Sequence, residues 1–465
     1  MMILVVAAVA GIAGFLFGFD EGVIAGALHL LRGQFGISDA AEGLMTAAVP
    51  LGALFGALIA GRVVETLGRR KSLLIAAALF VVGAFLSSLI TAIWMLSAAR
   101  LVLGLAVGLA AVVAPLYISE TAPPAKRGML VSVYQLAVTM GILGAYIVGY
   151  AFSDSWRIMF AIGMVPGVAL FVGMYCLPDT PRWLARNGSR NEAVNALARM
   201  RGHSPGDSRI VAEYNELTSK KDERKGTIAD LLGPVARPAL IVAVGLFLLQ
   251  QLSGINAVIY YAPTVLREAG FSDTSTQLLA TIGIGIVNVL MTFVGMALID
   301  RIGRRSLLLL GFAGTALSLG MIAIAAGTQA ESLDTLALIG LFLYIAAFAA
   351  SIGPLPWVMM SEIFPMNVRG IGMSAASLAN WGFNFVVVFS FPVLVSSIGL
   401  AGVFGFYAIA CLIGVIFTLR LVPETSGISL EEIERHLRVG KPLRELRPAG
   451  SNDLIGKGAS EGAGS

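Results

Sequence analysis

Apolar residues fall along this chain in long uncharged runs, without the alternation of a half-buried strand. Twelve runs stand out, at about 3–30, 42–63, 72–91, 93–118, 129–152 and 157–177, then about 237–262, 276–299, 306–327, 335–360, 371–396 and 401–422. Each is close to or beyond the roughly 20 residues a helix needs to cross a bilayer. The pattern predicts an all-α membrane protein with twelve transmembrane helices in two six-helix halves, residues 1–177 and 237–427. The polar stretch 178–236 predicts a cytoplasmic linker of short surface helices. Within it, Asn191–Gly202 and Ile210–Lys221 are helix-patterned, and Ser189 and Glu192 have capping-box spacing. Residues 428–438 read as a cytoplasmic amphipathic helix, again opened by a capping-box pair, Ser429 and Glu432. Residues 439–465, Gly/Ser-rich toward the end, are expected to be a disordered tail. The first run begins at Ile3, lacks a charged leader region and outlasts a signal peptide, so it is expected to span the membrane. An upstream start codon stays open.

The two halves repeat each other. Gly61-Arg62-Val-Val-Glu65-Thr-Leu-Gly68-Arg69-Arg70-Lys71 returns as Gly295-Met-Ala-Leu-Ile-Asp300-Arg301-Ile-Gly303-Arg304-Arg305. The run from Tyr117 through Glu120 to Arg127-Gly128 returns as the run from Met360 through Glu362 to Arg369-Gly370. Pro178-Asp179-Thr180 returns as Pro423-Glu424-Thr425. Three matches in one order, at slowly rising offsets, point to a duplication with pseudo-symmetric halves. Halves that rock around a central site are a common design of secondary transporters.

Charge sharpens the topology. Only 13% of the 465 residues are charged, against about 25% in soluble domains. Ten Lys and Arg lie in the short loops near 62–71, 119–128, 300–305 and 361–370. The opposite loops hold three, Arg32, Arg157 and Arg267. The positive-inside rule puts the first set and both termini in the cytoplasm, as in a multi-pass protein of the cell (inner) membrane. The net charge of +4 fits this topology and does not suggest a nucleic-acid partner. Cys176 and Cys411 sit in apolar runs and read as packing residues. His29, His203 and His436 are scattered. No metal-ligand spacing, nucleotide loop or nucleophile triad is present, so neither an enzyme nor a cofactor is expected.

The loops, together with Pro178-Asp-Thr-Pro-Arg182-Trp183-Leu184, Gln250-Gln251-Leu-Ser-Gly254-Ile-Asn256 and Pro423-Glu424-Thr425, resemble the sugar porter family of the major facilitator superfamily. The likeness runs over about residues 11–437. It implies the major facilitator fold, able to work as a monomer, and transport of a monosaccharide (hexose or pentose) with or without a proton.

The polar residues inside the spans suit such a cargo. A sugar hydroxyl both donates and accepts, and burying one unpaired costs roughly 1–3 kcal/mol. Amides supply both functions, and an aromatic face suits the apolar side of the ring. Span 7 carries Gln250, Gln251 and Asn256, with Gly254 and Pro263 expected to bend it there. The resemblance implies sugar contacts at Gln135, Gln250, Gln251, Asn256, Asn288, Trp357 and Asn380. The plainer reading is that amides only hold helices together. Trp381 can be structural. Gly353-Pro354-Leu-Pro356 breaks span 10 beside Trp357, as a gate or a static kink.

Asp20 and Arg100 are the ionisable residues well inside the spans, with Glu21 beside the first as a second acid or a rim residue. A mid-membrane charge calls for a partner. Counted from the outer ends of spans 1 and 4, both residues lie about 12–15 Å deep, so they can face each other. The resemblance implies that proton-coupled members carry an acid at Asp20. In that reading Asp20 carries the proton and Arg100 favours its ionised form when paired. A permanent structural ion pair is the alternative.

Two charge clusters are expected to latch the cytoplasmic side: Glu65, Arg69, Arg70, Glu120, Arg127 and Arg182, and Asp300, Arg304, Arg305, Glu362, Arg369 and Glu424. The positive-inside signal alone accounts for the cations but not for the matched acids. A facilitative uniporter and a non-transporting sugar sensor are the rival functions. Overlaying the halves puts Gly18-Phe19-Asp20 on Gly254-Ile255-Asn256, an acid over an amide. That suggests proton handling in the first half and most sugar contacts in the second.

Overall fold

A computed structural model describes residues 2–122, 127–219 and 226–446. Eleven of its helices are long and apolar enough to cross a membrane. The last, Arg369–Leu421, has 53 residues and breaks at Gly399 (φ 69°, ψ 177°). Unbroken it would measure about 80 Å, far more than the roughly 30 Å hydrocarbon core. It is therefore spans 11 and 12, which makes twelve crossings among the described residues.

The helices overrun the apolar runs at their polar ends. Span 1 is Met2–Phe35, span 2 Asp39–Leu67, span 3 Arg69–Leu89 and span 4 Ile93–Thr121. Span 5 is Arg127–Ala151, and span 6 divides into Trp156–Ile162 and Met164–Cys176. Span 7 divides into Arg237–Leu252 and Ile255–Glu268. Spans 8 and 9 are Thr274–Ile302 and Arg304–Gly327. Span 10 is Leu333–Ala347, a π-helical turn at Phe348–Ile352, and Leu355–Ile363.

The linker has the expected helices at Arg190–Arg201 and Ser208–Ser219, the first closed by the Ser189–Glu192 capping box. Lys221, the expected end of the second, lies outside the described residues. Shorter helices add Pro181–Asn187 and Ile228–Leu232. Ser429 caps Leu430–Arg438 by accepting the Glu432 amide. Order continues past the expected boundary at 438. Residues Leu443–Glu445 form a 3-10 turn whose Leu443, with Leu446, is buried at 4% exposure. Their apolar side chains join the main core, which offsets the ordering cost that a Gly/Ser tail does not. Residues 447–465 lie outside the described set.

The halves meet on the side away from the Gly-Arg-Arg loops, here called the far side. Span 1 packs on the second segment of span 7, span 5 on span 8, and span 2 on the long helix of spans 11 and 12. The Tyr146 hydroxyl of span 5 donates to the Ile259 carbonyl at 2.9 Å, and Gly43 of span 2 abuts the Phe389 carbonyl. One continuous apolar cluster joins the far ends of spans 1 and 5 to the second half. Nearer the middle, Trp381 of span 11 is 1% exposed and meets Phe17 of span 1 edge-on at 5.4 Å. Trp381 is thus a seam-packing residue.

Candidate functional site

The three repeated motifs assemble into one structure, built twice. In the first half the Gly68 backbone has φ 85° and in the second Gly303 has φ 90°, a region that favours glycine. A Cβ at either would run into a carboxylate, of Asp179 or of Glu424. Asp179 accepts the amides of Arg69 and Arg70 at 3.1 and 3.2 Å. Glu424 accepts those of Arg304 and Arg305 at 2.9 and 3.1 Å. Each acid thereby satisfies the open N–H groups that start a span, where the helix dipole also favours negative charge. Burial pushes the Asp179 carboxyl above its usual range, although amides of Thr180, Arg69 and Arg70 pull the other way. Arg69 then pairs with Glu120 at 2.8 Å, which accepts Thr180 at 2.6 Å. Arg304 pairs with Glu362 at 3.2 Å, which accepts Thr425 at 2.6 Å.

These pairs run within each half. Asp300 pairs with Arg304 at 2.9 Å. Arg70 and Arg305 donate to the carbonyls of Tyr175 and Leu419 at the ends of spans 6 and 12, and Arg369 donates to Phe364. The Glu65 carbonyl accepts the Trp183 indole, and Arg182 is exposed. The side chain of Arg127 lies outside the described residues. The charged loops therefore brace each half as a unit.

The amides gather at the breaks of spans 7 and 10. Gly254 has φ 84° and ψ 13°, and the Tyr407 ring packs where its Cβ would be. The Tyr344 hydroxyl takes the Ser253 carbonyl at 2.9 Å. The expected bend is therefore a full break. Across it Asn256 donates to Gln251 at 2.7 Å, and Gln251 donates to Asn380 at 2.8 Å. Gln250 turns elsewhere. Its amide donates to the carbonyls of Ile352 and Gly353, at 2.8 and 3.0 Å, where span 10 is broken. Backbone freed at membrane depth needs such a partner. Trp357 stands edge-on to Phe247 at 4.9 Å and is partly buried. Gln135 is partly buried on span 5, and Asn288 is buried on span 8. Tyr344 and Tyr407, which pack at the span 7 break, carry no motif; a Tyr in an apolar span calls for a hydroxyl partner, and that of Tyr344 is the Ser253 carbonyl.

Asp20 and Arg100 meet as the depth count predicts. Both are buried, and Arg100 Nη2 lies 3.6 Å from Asp20 Oδ2. Neither Nη atom nor that oxygen has a hydrogen-bond partner among the described residues. The one Arg100 hydrogen bond described is from Nε to the Met45 carbonyl of span 2, at 3.2 Å. Glu21 is buried as well, at 4% exposure, so it does not lie at the rim of the site.

A twelve-span, two-half bundle with a buried acid–guanidinium pair and amides at broken helices defines a secondary-transporter architecture. A family model described as sugar (and other) transporter matches residues 6–437. The chain belongs to this sugar transporter family of the major facilitator superfamily. It is 40% identical to a D-xylose transporter of Levilactobacillus brevis, over 94% of this chain and 96% of that one. It is 39% identical to the galactose-proton symporter of Escherichia coli K12, over 94% and 95% of the two chains. The inward open conformation of the E. coli xylose transporter XylE superposes with a TM-score of 0.81 at 30% identity, covering 93% and 99%. The family is one of transporters, not enzymes.

Proposed function

We propose that this protein imports a monosaccharide together with a proton by alternating access, as a monomer in the inner membrane with both termini cytoplasmic. The observation that carries the reading is the buried pair of Asp20 and Arg100, 3.6 Å apart and not hydrogen-bonded. A permanent structural bridge would be drawn into hydrogen bonds, because buried charges left without them are costly. A pair held at this distance lets Asp20 gain or lose a proton without breaking a hydrogen bond to Arg100. Asp20 is the proton carrier. Loading it outside and releasing it inside harnesses the membrane potential, about 2.3 kcal/mol per charge per 100 mV.

Gln135, Gln251, Asn256, Asn288, Trp357 and Asn380 contact the sugar, and Gln250 contacts it through its remaining oxygen. Relatives named as symporters of galactose and arabinose with protons support a monosaccharide cargo. Far-side contact between the halves, and the likeness to an inward open relative, support an inward-facing state here. The charged loops would then meet across the seam only when the cytoplasmic side closes.

The test uses proteoliposomes holding a pH-sensitive dye. Adding D-xylose or D-galactose outside, without any other gradient, is expected to acidify the lumen. Sugar entry without acidification would identify a facilitative carrier.

A further inference from the structure

Span 1 buries two consecutive acids, Asp20 at 2% and Glu21 at 4% exposure, and the structure sets one guanidinium beside them. Arg100 stands on the Asp20 side and is anchored to the Met45 carbonyl. The groups that act on Glu21 are of another kind. Tyr134 and Tyr146 of span 5 and Tyr260 of span 7 lie within its electrostatic reach, as does Asp20. The Tyr146 hydroxyl is engaged by the Ile259 carbonyl. Those of Tyr134 and Tyr260 are buried without a partner among the described residues. Arg157, on span 6, is stacked on the Trp156 ring at 4.2 Å and donates to Ile90 at the far end.

Two adjacent buried carboxyls with one guanidinium, on the Asp20 side, cannot both be ionised without leaving a net negative charge at membrane depth. A buried acid in that position is neutralised by binding a proton. Neighbouring acids that feel each other also titrate as a pair. The two differ in what motion does to them. Asp20 and Arg100 belong to the same half, so rigid rocking leaves them together. Glu21 is on the same seam-lining helix, where Tyr260 of the other half lies within reach of it and also of Asp20 and Arg100. Among the described residues, however, Glu21 carries no cation of its own half along with it. Rocking therefore changes the surroundings of Glu21 directly.

We infer that Glu21 is a second proton-binding residue of the transport cycle, holding a proton while Asp20 faces Arg100 and coupling its release to the opening of the seam. This rests on the symport reading for its role in the cycle, but its protonation can be tested separately.

The experiment is infrared spectroscopy of the full chain in lipid at neutral pH, comparing wild type with Glu21→Gln, Glu21→Asp and Asp20→Asn. A protonated-carboxyl band is expected in the wild type and in Asp20→Asn, lost in Glu21→Gln and shifted in Glu21→Asp. The aspartate variant decides the matter if the glutamine variant does not fold. A band unchanged by both Glu21 substitutions would overturn the proposal. In sugar counterflow, wild-type exchange is expected to fall at alkaline pH, and Glu21→Gln to flatten that fall. An identical profile would also overturn it. If Asp20→Asn still accumulates sugar, the symport reading fails, while the band still reports on Glu21.

Discussion

Arg100 Nη2 stands 3.6 Å from Asp20 Oδ2, near enough to pair and too far to hydrogen-bond. The guanidinium is held by a neighbour instead, through Nε to the Met45 carbonyl. Asp20 Oδ2 is thus not hydrogen-bonded to the guanidinium, which span 2 holds through Met45. Removing the cation leaves a buried carboxylate without a counter-charge, which typically costs about 3–5 kcal/mol. Arg100→Ala is expected to lower the melting temperature in detergent. Adding Asp20→Asn should recover part of the loss. A double variant no more stable than Arg100→Ala would show that the two side chains are not coupled.

Gln250 separates a structural from a substrate role. Its amide closes the carbonyls of Ile352 and Gly353. Each buried group left open costs about 1–3 kcal/mol. Gln250→Leu is therefore expected to destabilise the sugar-free protein by about that amount, read as a lower melting temperature. Asn380→Ala should act chiefly on sugar affinity. An unchanged melting temperature for Gln250→Leu would mean that it does not brace the break in span 10.

Gly254 carries two demands, a left-handed backbone and room for the Tyr407 ring. Left-handed geometry alone costs a side chain roughly 1–2 kcal/mol. Gly254→Ala is expected to cost more than that and to slow counterflow. Wild-type exchange and stability in this variant would mean that span 7 does not need its break.

The amphipathic helix Leu430–Arg438 is docked through Glu434, which accepts the Met366 amide at 3.2 Å and pairs with Arg438 at 2.6 Å. Burial pushes this carboxyl up, but Arg438 and the Met366 amide outweigh it and hold it below the usual glutamate range. A lowered acid stabilises the docked state above its unfolded value, and the benefit is lost as pH falls through the lowered one. Hydrogen-exchange protection of residues 430–438, measured against the intrinsic rate at each pH, should therefore fall at acidic pH, below the ordinary glutamate value. Glu434→Gln should show reduced protection already at neutral pH and little further change in protection on acidification.

The twelve crossings were legible because uncharged length is nearly sufficient to define a span, and the duplication because its loops repeat. Asp20 and Arg100 could be matched by counting rise per residue from two span ends. Partner choice was not legible. Gln250 and Gln251 are adjacent in sequence, yet one holds the broken backbone of span 10 and the other an amide chain to Asn380. The overlay of Gly18 on Gly254 was also only half the story. Gly18 lies in a continuous helix and lets span 1 seat against the Val138 carbonyl of span 5, whereas Gly254 interrupts its helix. Such differences arise from neighbours distant in sequence. The same is true of Leu443 and Leu446, whose burial ordered residues that composition marked as tail.

The most direct measurement of proton coupling is sugar accumulation in proteoliposomes under an imposed pH gradient, comparing wild type with Asp20→Asn. Wild type is expected to concentrate the sugar above the outside level. Asp20→Asn is expected to reach equal concentrations inside and out while still exchanging labelled sugar. Uphill accumulation by Asp20→Asn would contradict Asp20 as the proton carrier.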